Sequence, residues 1–199
     1  MDNETIWIEQ ALQGSDEAFG QLVQAYQRPI YNLCYRMLGS NGEAEDAAQE
    51  TFLRAYTRLS SYDRSRKFSS WILAVASHYC IDLLRRRRFQ LVSLDDLPPW
   101  SWVPDPNPEP EEVTVGRQQV DEIRSLLDEL PAEYRAAVVL RYWHELSYQE
   151  IAEMLDTTVS AIKSRLFRAR QTMAAAQNER QHIKQPARKI NRLESLGEV

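Results

Sequence analysis

A run of prolines and acidic residues near the middle of the chain limits how its 199 residues can fold. Six of the nine prolines lie between residues 98 and 110, and six acidic residues but no lysine or arginine lie between 93 and 113. Because proline fixes φ and has no N–H to donate, this segment cannot continue a helix. We therefore predict domains over residues 1–92 and 117–178, joined by an extended acidic linker over 93–116 and followed by a polar tail over 179–199.

Apolar residues on both sides of the linker recur at spacings of three and four, which is typical of amphipathic helices. This pattern predicts helices over 16–38, 43–59 and 68–89, with a loop over 60–67. After the linker, it predicts a helix carrying Val120, Ile123, Leu126 and Leu127, a second from Leu130-Pro131 to Trp143, and then two shorter helices. No strand-length apolar alternation stands out. The predicted fold class is all-α, with two small helical domains.

Several classes of protein are excluded by composition. No stretch approaches the ~18 apolar residues that span a bilayer, and the acidic N-terminus leads into no apolar run, so we expect neither membrane insertion nor a signal peptide. Cys34 and Cys80 lie in helical patterns without metal-binding spacing, which favours a reducing, cytoplasmic setting. Asp46, Glu50 and Asp82 lack the neighbours that would gather a metal. We expect no cofactor, no metal site and no enzymatic activity.

Charge is distributed unevenly along the chain. The net charge is −5, but outside the linker 23 acidic residues nearly balance 24 basic ones. Basic residues cluster at Arg85 to Arg88 and again between Lys163 and Arg170. A nearly neutral protein with two local basic patches can bind DNA at both of them.

The segment after residue 146 predicts a helix-turn-helix. Ser147 and Glu150 have the spacing of a capping box, which opens a short helix. Ala152 in that helix and Ile162 in the next bracket a tight turn, as closely crossing helices require. Asp156 occupies the turn where glycine is common, and aspartate tolerates the left-handed backbone.

The second helix of this motif has a polar, basic face opposite its apolar stripe. Phe167 is out of place on a solvated face, but a ring can contact a thymine methyl while Lys and Arg reach base edges or phosphates. Packing of Phe167 on the other domain is the alternative. The candidate DNA-binding residues of this face are Ser160, Lys163, Ser164, Arg165, Phe167, Arg168 and Gln171.

Six segments follow one another in a recognisable order: 30–39, 44–56, 67–72, 81–86, 130–135 and 162–170. Together, over roughly residues 10–175, they closely resemble the extracytoplasmic-function (ECF) sigma factors, group IV of the sigma-70 family. The resemblance implies a region 2 domain, a region 4 domain that recognises the −35 element, and binding to the β′ clamp and the β subunit of core RNA polymerase. It also implies promoter DNA and an anti-sigma factor as partners.

Two sets of residues in the first domain match the roles that the resemblance implies. On helix 43–59, one set lies opposite the apolar stripe and is expected to bind core polymerase: Asp46, Gln49, Glu50 and Leu53. The second set interleaves basic and aromatic residues, which suits single-stranded DNA, and is expected to capture the opened −10 strand: Tyr62, Arg64, Arg66, Lys67, Phe68, Trp71, His78, Asp82, Arg85 and Arg86.

Alternatives to these assignments remain at this point. Phe68 and Trp71 suit a hydrophobic core equally well, and the basic residues from Arg85 onward also suit a helix C-terminus. A helix-turn-helix regulator that never binds polymerase is the rival function. Such a regulator needs neither the basic-aromatic segment nor the face that carries Leu53.

Overall fold

The computed structural model describes residues 3–94 and 115–183, which form eight α-helices and no strand. Before the linker these are α1 (Asn3–Leu12), α2 (Asp16–Leu38), α3 (Asn41–Thr57) and α4 (Phe68–Leu94). After it come α5 (Val115–Asp128), α6 (Ala132–Tyr142), α7 (Tyr148–Met154) and α8 (Val159–Ile183). The predicted all-α class is confirmed. No helix in these two ranges is long and apolar enough to cross a membrane.

The helix bounds differ from prediction in several places. α3 runs over Asn41–Thr57 rather than 43–59, α4 continues to Leu94 rather than ending at 89, and α8 has 25 residues rather than being a short helix. α1 was not predicted, because it is short and only Ile8 and Ala11 of its residues are buried. The predicted loop over 60–67 begins with a 3₁₀ turn, Leu59–Ser61. α8 continues beyond residue 178, where the side chain of Arg180 contacts Ser125 on α5 and Glu129 just after it. Most of the predicted linker, with Trp100 and Trp102, lies outside the described residues.

The ends of α2 follow local chemistry. Ser15 caps its N-terminus by accepting a hydrogen bond from the N–H of Ala18 at 3.2 Å. Gly39 ends the helix with φ of 79°, and its N–H donates to the carbonyl of Tyr35 at 2.8 Å. Glycine adopts this left-handed conformation without strain. A side chain there would also lie 3.1 Å from the Arg124 guanidinium, so the position brings two helices close together.

The two halves pack against each other rather than standing apart. α6 lies against α2 and α4, and α7 lies against α4. The buried residues of both halves form one continuous hydrophobic cluster. The sequence predicted two domains but not this contact. It determines what surrounds the candidate DNA-binding residues of α4.

Candidate nucleic-acid and protein interfaces

The outer face of α3 carries an exposed leucine among polar side chains. Leu53 is 63% exposed, more than any other large hydrophobic residue whose burial the structure describes. Asp46 and Gln49 are also exposed. Glu50 is half-buried and accepts a hydrogen bond from Arg54 Nε at 2.7 Å. The opposite face of α3 is buried, so the four predicted residues share one accessible surface.

A groove between α2 and α3 adjoins this surface. It has a volume of about 500 Å³, and its lining includes Val23, Gln27, Tyr31, Ala48, Gln49 and Phe52. The ring of Phe52 is only half-buried at this groove. The groove was missed because it exists only where two helices meet, and spacing within one helix does not reveal it.

The loop before α4 presents three exposed cations, Arg64, Arg66 and Lys67. The loop is held by Asp63, whose carboxylate accepts hydrogen bonds from the N–H of Ser65 at 2.9 Å and from its hydroxyl at 2.8 Å. These bonds lower the pKa of Asp63, and the bond from the backbone N–H has the larger effect. The arrangement holds positive charge at the start of α4.

The aromatic residues here divide into core and surface. Phe68 is 1% exposed, so its ring belongs to the core and cannot stack on a base; its inclusion among the DNA-contacting residues was wrong. Tyr62 packs on Phe68 and on Trp71, with 5.4 Å between ring centroids in each case. The Tyr62 hydroxyl donates to the carbonyl of Arg66. Trp71 and Tyr62 are half-buried and keep part of each ring accessible.

One edge of α4 lines a cleft of about 620 Å³ that faces α7. Trp71, His78 and Asp82 lie on the α4 side, together with Lys67 from the loop. The α7 side contributes Glu150, Glu153, Met154 and Asp156. The structure therefore gathers these candidate residues along one edge of α4. It also shows the acidic residues opposite them, which no spacing within one helix predicts.

Polar contacts bridge the cleft and its continuation toward the end of α4. His78 Nε2 lies 2.9 Å from the carbonyl oxygen of Met154. Lys67 Nζ lies 4.0 Å from Glu150 Oε1. Farther along α4, Arg85 Nη2 and Nε lie 2.5 and 2.7 Å from Glu133 Oε1 on α6.

Two carboxylates in these contacts have perturbed pKa values. Burial pushes the pKa of Glu133 upward, but its own backbone N–H and the Arg85 guanidinium outweigh burial and bring the pKa below its usual value. Hydrogen bonds from Ser147, followed by the charge of Lys67, lower the pKa of Glu150. Both side chains are therefore ionised at neutral pH.

The helix-turn-helix forms as predicted. Ser147 Oγ accepts from the N–H of Glu150 at 3.2 Å, and Glu150 Oε2 accepts from the N–H of Ser147 at 2.8 Å. Asp156 adopts φ of 48°, which is the left-handed backbone expected of the turn. Ala152 and Ile162 are buried where α7 and α8 cross.

The face of α8 opposite its core is open to solvent. Phe167 is 55% exposed, which excludes packing on the other domain. Arg165 is half-buried and lies close enough to Glu133 to lower its pKa. The other predicted residues of this face are all exposed: Ser160, Lys163, Ser164, Arg168 and Gln171. A ring flanked by cations on one accessible helix face has the composition that major-groove contact requires.

Comparison with known proteins identifies both halves. The family model of Sigma-70 region 2 matches residues 22–90, and that of Sigma-70, region 4 matches residues 121–173. The ECF RNA polymerase sigma factor SigW of Bacillus subtilis is 37% identical over 172 residues, which cover 83% of this chain and 92% of SigW. SigM of the same organism is 34% identical and covers 79% of this chain and 94% of its own.

Solved structures share the fold. The structure of CnrH in complex with the cytosolic domain of CnrY superposes with a TM-score of 0.65 at 24% identity, covering 89% of this chain and 99% of that one. The sigma factor RpoE of Bartonella quintana, in complex with the anti-sigma factor NepR, gives 0.62 at 19% identity, covering 85% and 98%.

A regulator that acts apart from polymerase has no need of a region 2 domain. Here a region 2 match precedes a region 4 match, and relatives above 30% identity are aligned over about four fifths of the chain. The chain is thus a member of the ECF sigma factors of the sigma-70 family, the RNA polymerase sigma factors.

Proposed function

We propose that this sigma factor binds core RNA polymerase through the outer face of α3. The observation that carries this assignment is the exposure of Leu53 beside Asp46, Gln49 and Glu50. An exposed leucine surrounded by polar groups has the character of an interface anchor that is desolvated on binding. The β′ clamp is the partner surface implied by the family, and the groove lined by Phe52 extends the contact area.

The −10 element is captured, in this proposal, by the loop after α3 and by the exposed edge of α4. Lys67, Arg64 and Arg66 supply positive charge for phosphates, and the accessible parts of Trp71 and Tyr62 supply rings for bases. His78, Asp82, Arg85 and Arg86 continue the surface along α4. Phe68 supports the two rings from below and is not itself a contact.

The −35 element is read by the exposed face of α8. The capping box and the left-handed turn at Asp156 fix the angle between α7 and α8. Lys163, Phe167 and Arg168 share one face of α8 by their spacing, and this angle leaves that face accessible. Phosphate contacts fix the register of such a helix, and base contacts set its sequence preference.

An anti-sigma factor is the proposed negative regulator. The matched RpoE structure is a complex with the anti-sigma factor NepR, and this chain shares that fold. We place the action of this sigma factor in the cytoplasm, where RNA polymerase works. The β subunit of the polymerase is the further contact that the family implies.

Run-off transcription tests the proposal as a whole. The purified full-length chain is mixed with core RNA polymerase and fragmented genomic DNA, and the transcript 5′ ends are mapped. We expect a small set of start sites that share −10 and −35 sequences. A chain that binds duplex DNA but neither retains core polymerase subunits in a pull-down nor supports transcription would instead be a regulator acting alone.

A further inference from the structure

We propose that α7 and the start of α6 act as an autoinhibitory contact that closes the −10 surface of the free chain. This inference rests on the proposed role of the α4 edge in binding single-stranded DNA. In the closed arrangement, Glu150 pairs with Lys67 and Glu133 pairs with Arg85. Both cations are proposed to contact DNA. In the free protein, the basic edge of α4 is thus covered by acidic residues of the chain's own helix-turn-helix domain.

Charge complementarity supports this contact. Glu150 lies opposite Lys67, and Glu133 lies opposite Arg85, at the distances given above. Glu153 and Asp156 add two more carboxylates to the α7 wall of the cleft. The side chains of Lys67 and Arg85 stay 78% and 55% exposed, but each has a carboxylate within 4.0 Å. A phosphate that binds either cation is therefore brought close to a negative side chain, and like charges brought together oppose binding.

Backbone and core contacts also hold the closed arrangement. His78 Nε2 is within hydrogen-bonding distance of the carbonyl of Met154 at the end of α7. The hydrophobic cluster runs from the first domain into α6 and α7 without interruption. Surface ion pairs are individually weak, so closure depends on this apolar contact, and the acidic residues add to it.

The inference predicts mutual exclusion between closure and DNA binding. A ligand that binds only the open state has its apparent affinity reduced by the small open fraction. Weakening the closed state should therefore tighten binding of single-stranded DNA. This gain does not require the variant to be mostly open.

The test compares two charge-matched double variants of the full chain. Glu133→Gln with Glu150→Gln removes both ion pairs, and glutamine at position 150 can still complete the capping box. Glu9→Gln with Glu179→Gln changes the net charge equally at two exposed sites that do not line the cleft. Binding of a fluorescent single-stranded oligonucleotide library is measured by anisotropy. We expect about a tenfold gain over the control variant, equal to about 1.4 kcal/mol.

A second measurement follows closure directly in the unaltered chain. A zero-length carbodiimide joins Lys67 to Glu150 only when the two approach, and mass spectrometry identifies the product. We expect the crosslink in the free chain and its loss in a holoenzyme bound to promoter DNA. A crosslink that persists in the DNA-bound holoenzyme would overturn the inference.

Adding Lys67→Ala to the Glu133→Gln, Glu150→Gln variant separates this inference from the proposed function. If Lys67→Ala weakens DNA binding but the double variant binds no better than its control, the DNA surface stands and autoinhibition is wrong. If Lys67→Ala has no effect in either background, the assigned −10 surface is wrong and the inference falls with it.

Discussion

Arg135 on α6 donates a hydrogen bond from Nη1 to the carbonyl oxygen of Met37, near the end of α2, at 2.7 Å. The same nitrogen lies 2.9 Å from Asp128 Oδ1. Arg135 is only 6% exposed, and burial lowers its pKa. A charged side chain is thus buried between two domains, where it satisfies a carbonyl at a helix end that has no partner within its own helix.

Arg135→Ala should destabilise the folded chain. The change leaves the carbonyl of Met37 without its donor in a buried setting, which costs about 1–3 kcal/mol. Urea unfolding followed by circular dichroism measures the loss. Arg124→Ala, at a half-buried arginine that also faces α2, is the matched control and should lose less. Equal losses would show that the hydrogen bond to Met37 contributes nothing specific.

Leu53→Asp should weaken binding of core RNA polymerase while leaving the fold intact. The leucine is exposed in the free chain, so a charge there costs little until the interface forms. Loss of its burial in a complex is expected to cost ~2 kcal/mol, or about 30-fold in affinity. A core-polymerase titration monitored by fluorescence measures the change. Ile6→Asp, at an exposed apolar position on α1, should bind normally, and equal affinity for both variants would remove α3 from the interface.

Arg168→Ala and Lys163→Ala distinguish base contacts from phosphate contacts on α8. A residue that reaches a base edge should lose about 1–3 kcal/mol and relax sequence preference when replaced. Replacing a residue that contacts only phosphate should reduce the salt dependence of DNA binding evenly across sequences. Titration of −35 duplexes at several salt concentrations separates the two. Arg180→Ala, at a side chain engaged with α5, should leave binding unchanged; wild-type selectivity in all three would contradict the assignment.

Lys67→Ala should slow promoter opening if, as proposed, the loop before α4 captures bases that have already left the stack. The variant should form open complexes slowly on duplex promoters but much less so on templates with a premelted −10 bubble. Permanganate reactivity of −10 thymines in the holoenzyme follows the opening. Arg180→Ala, which also removes one positive charge but lies outside the proposed DNA-binding surfaces, is the matched control. Normal thymine reactivity in Lys67→Ala would place strand capture elsewhere.

His144 should make stability depend on pH. Burial, followed by the nearby Arg36 guanidinium, lowers the pKa of His144. Because its pKa is depressed in the folded state, the unfolded chain binds the proton more readily. The stabilisation is therefore present above the unfolded pKa, near 6.5, and is lost as the pH falls below it.

The expected result is a urea midpoint that falls between about pH 7.5 and 5.5. His144→Gln should flatten this dependence, whereas His78→Gln, at a more exposed histidine, should retain the slope due to His144. An unchanged slope in His144→Gln would assign the pH dependence to other groups. Glu150 and Asp63 have lowered pKa values, so protonation of these carboxylates changes the urea midpoint only at lower pH.

The sequence by itself determined seven of the eight described helices, the helix-turn-helix and the exposed faces of α3 and α8. These features depend on spacing within one helix and on caps only a few residues apart, such as Ser147 with Glu150. Leu53 and Phe167 were identified as exposed because both interrupt a polar face opposite an apolar stripe. The family resemblance rests on the same local segments.

Only the tertiary structure decided how the two domains meet. Phe68 lies in the core because Tyr26 and Tyr62 pack around its ring. Glu133 and Glu150 face Arg85 and Lys67 across 48 and 83 residues of chain. Contacts at such separation depend on how helices from both halves pack, and no periodicity in the sequence records that packing. The acidic residues that face the proposed DNA surface are therefore brought there only by the folding of the whole molecule.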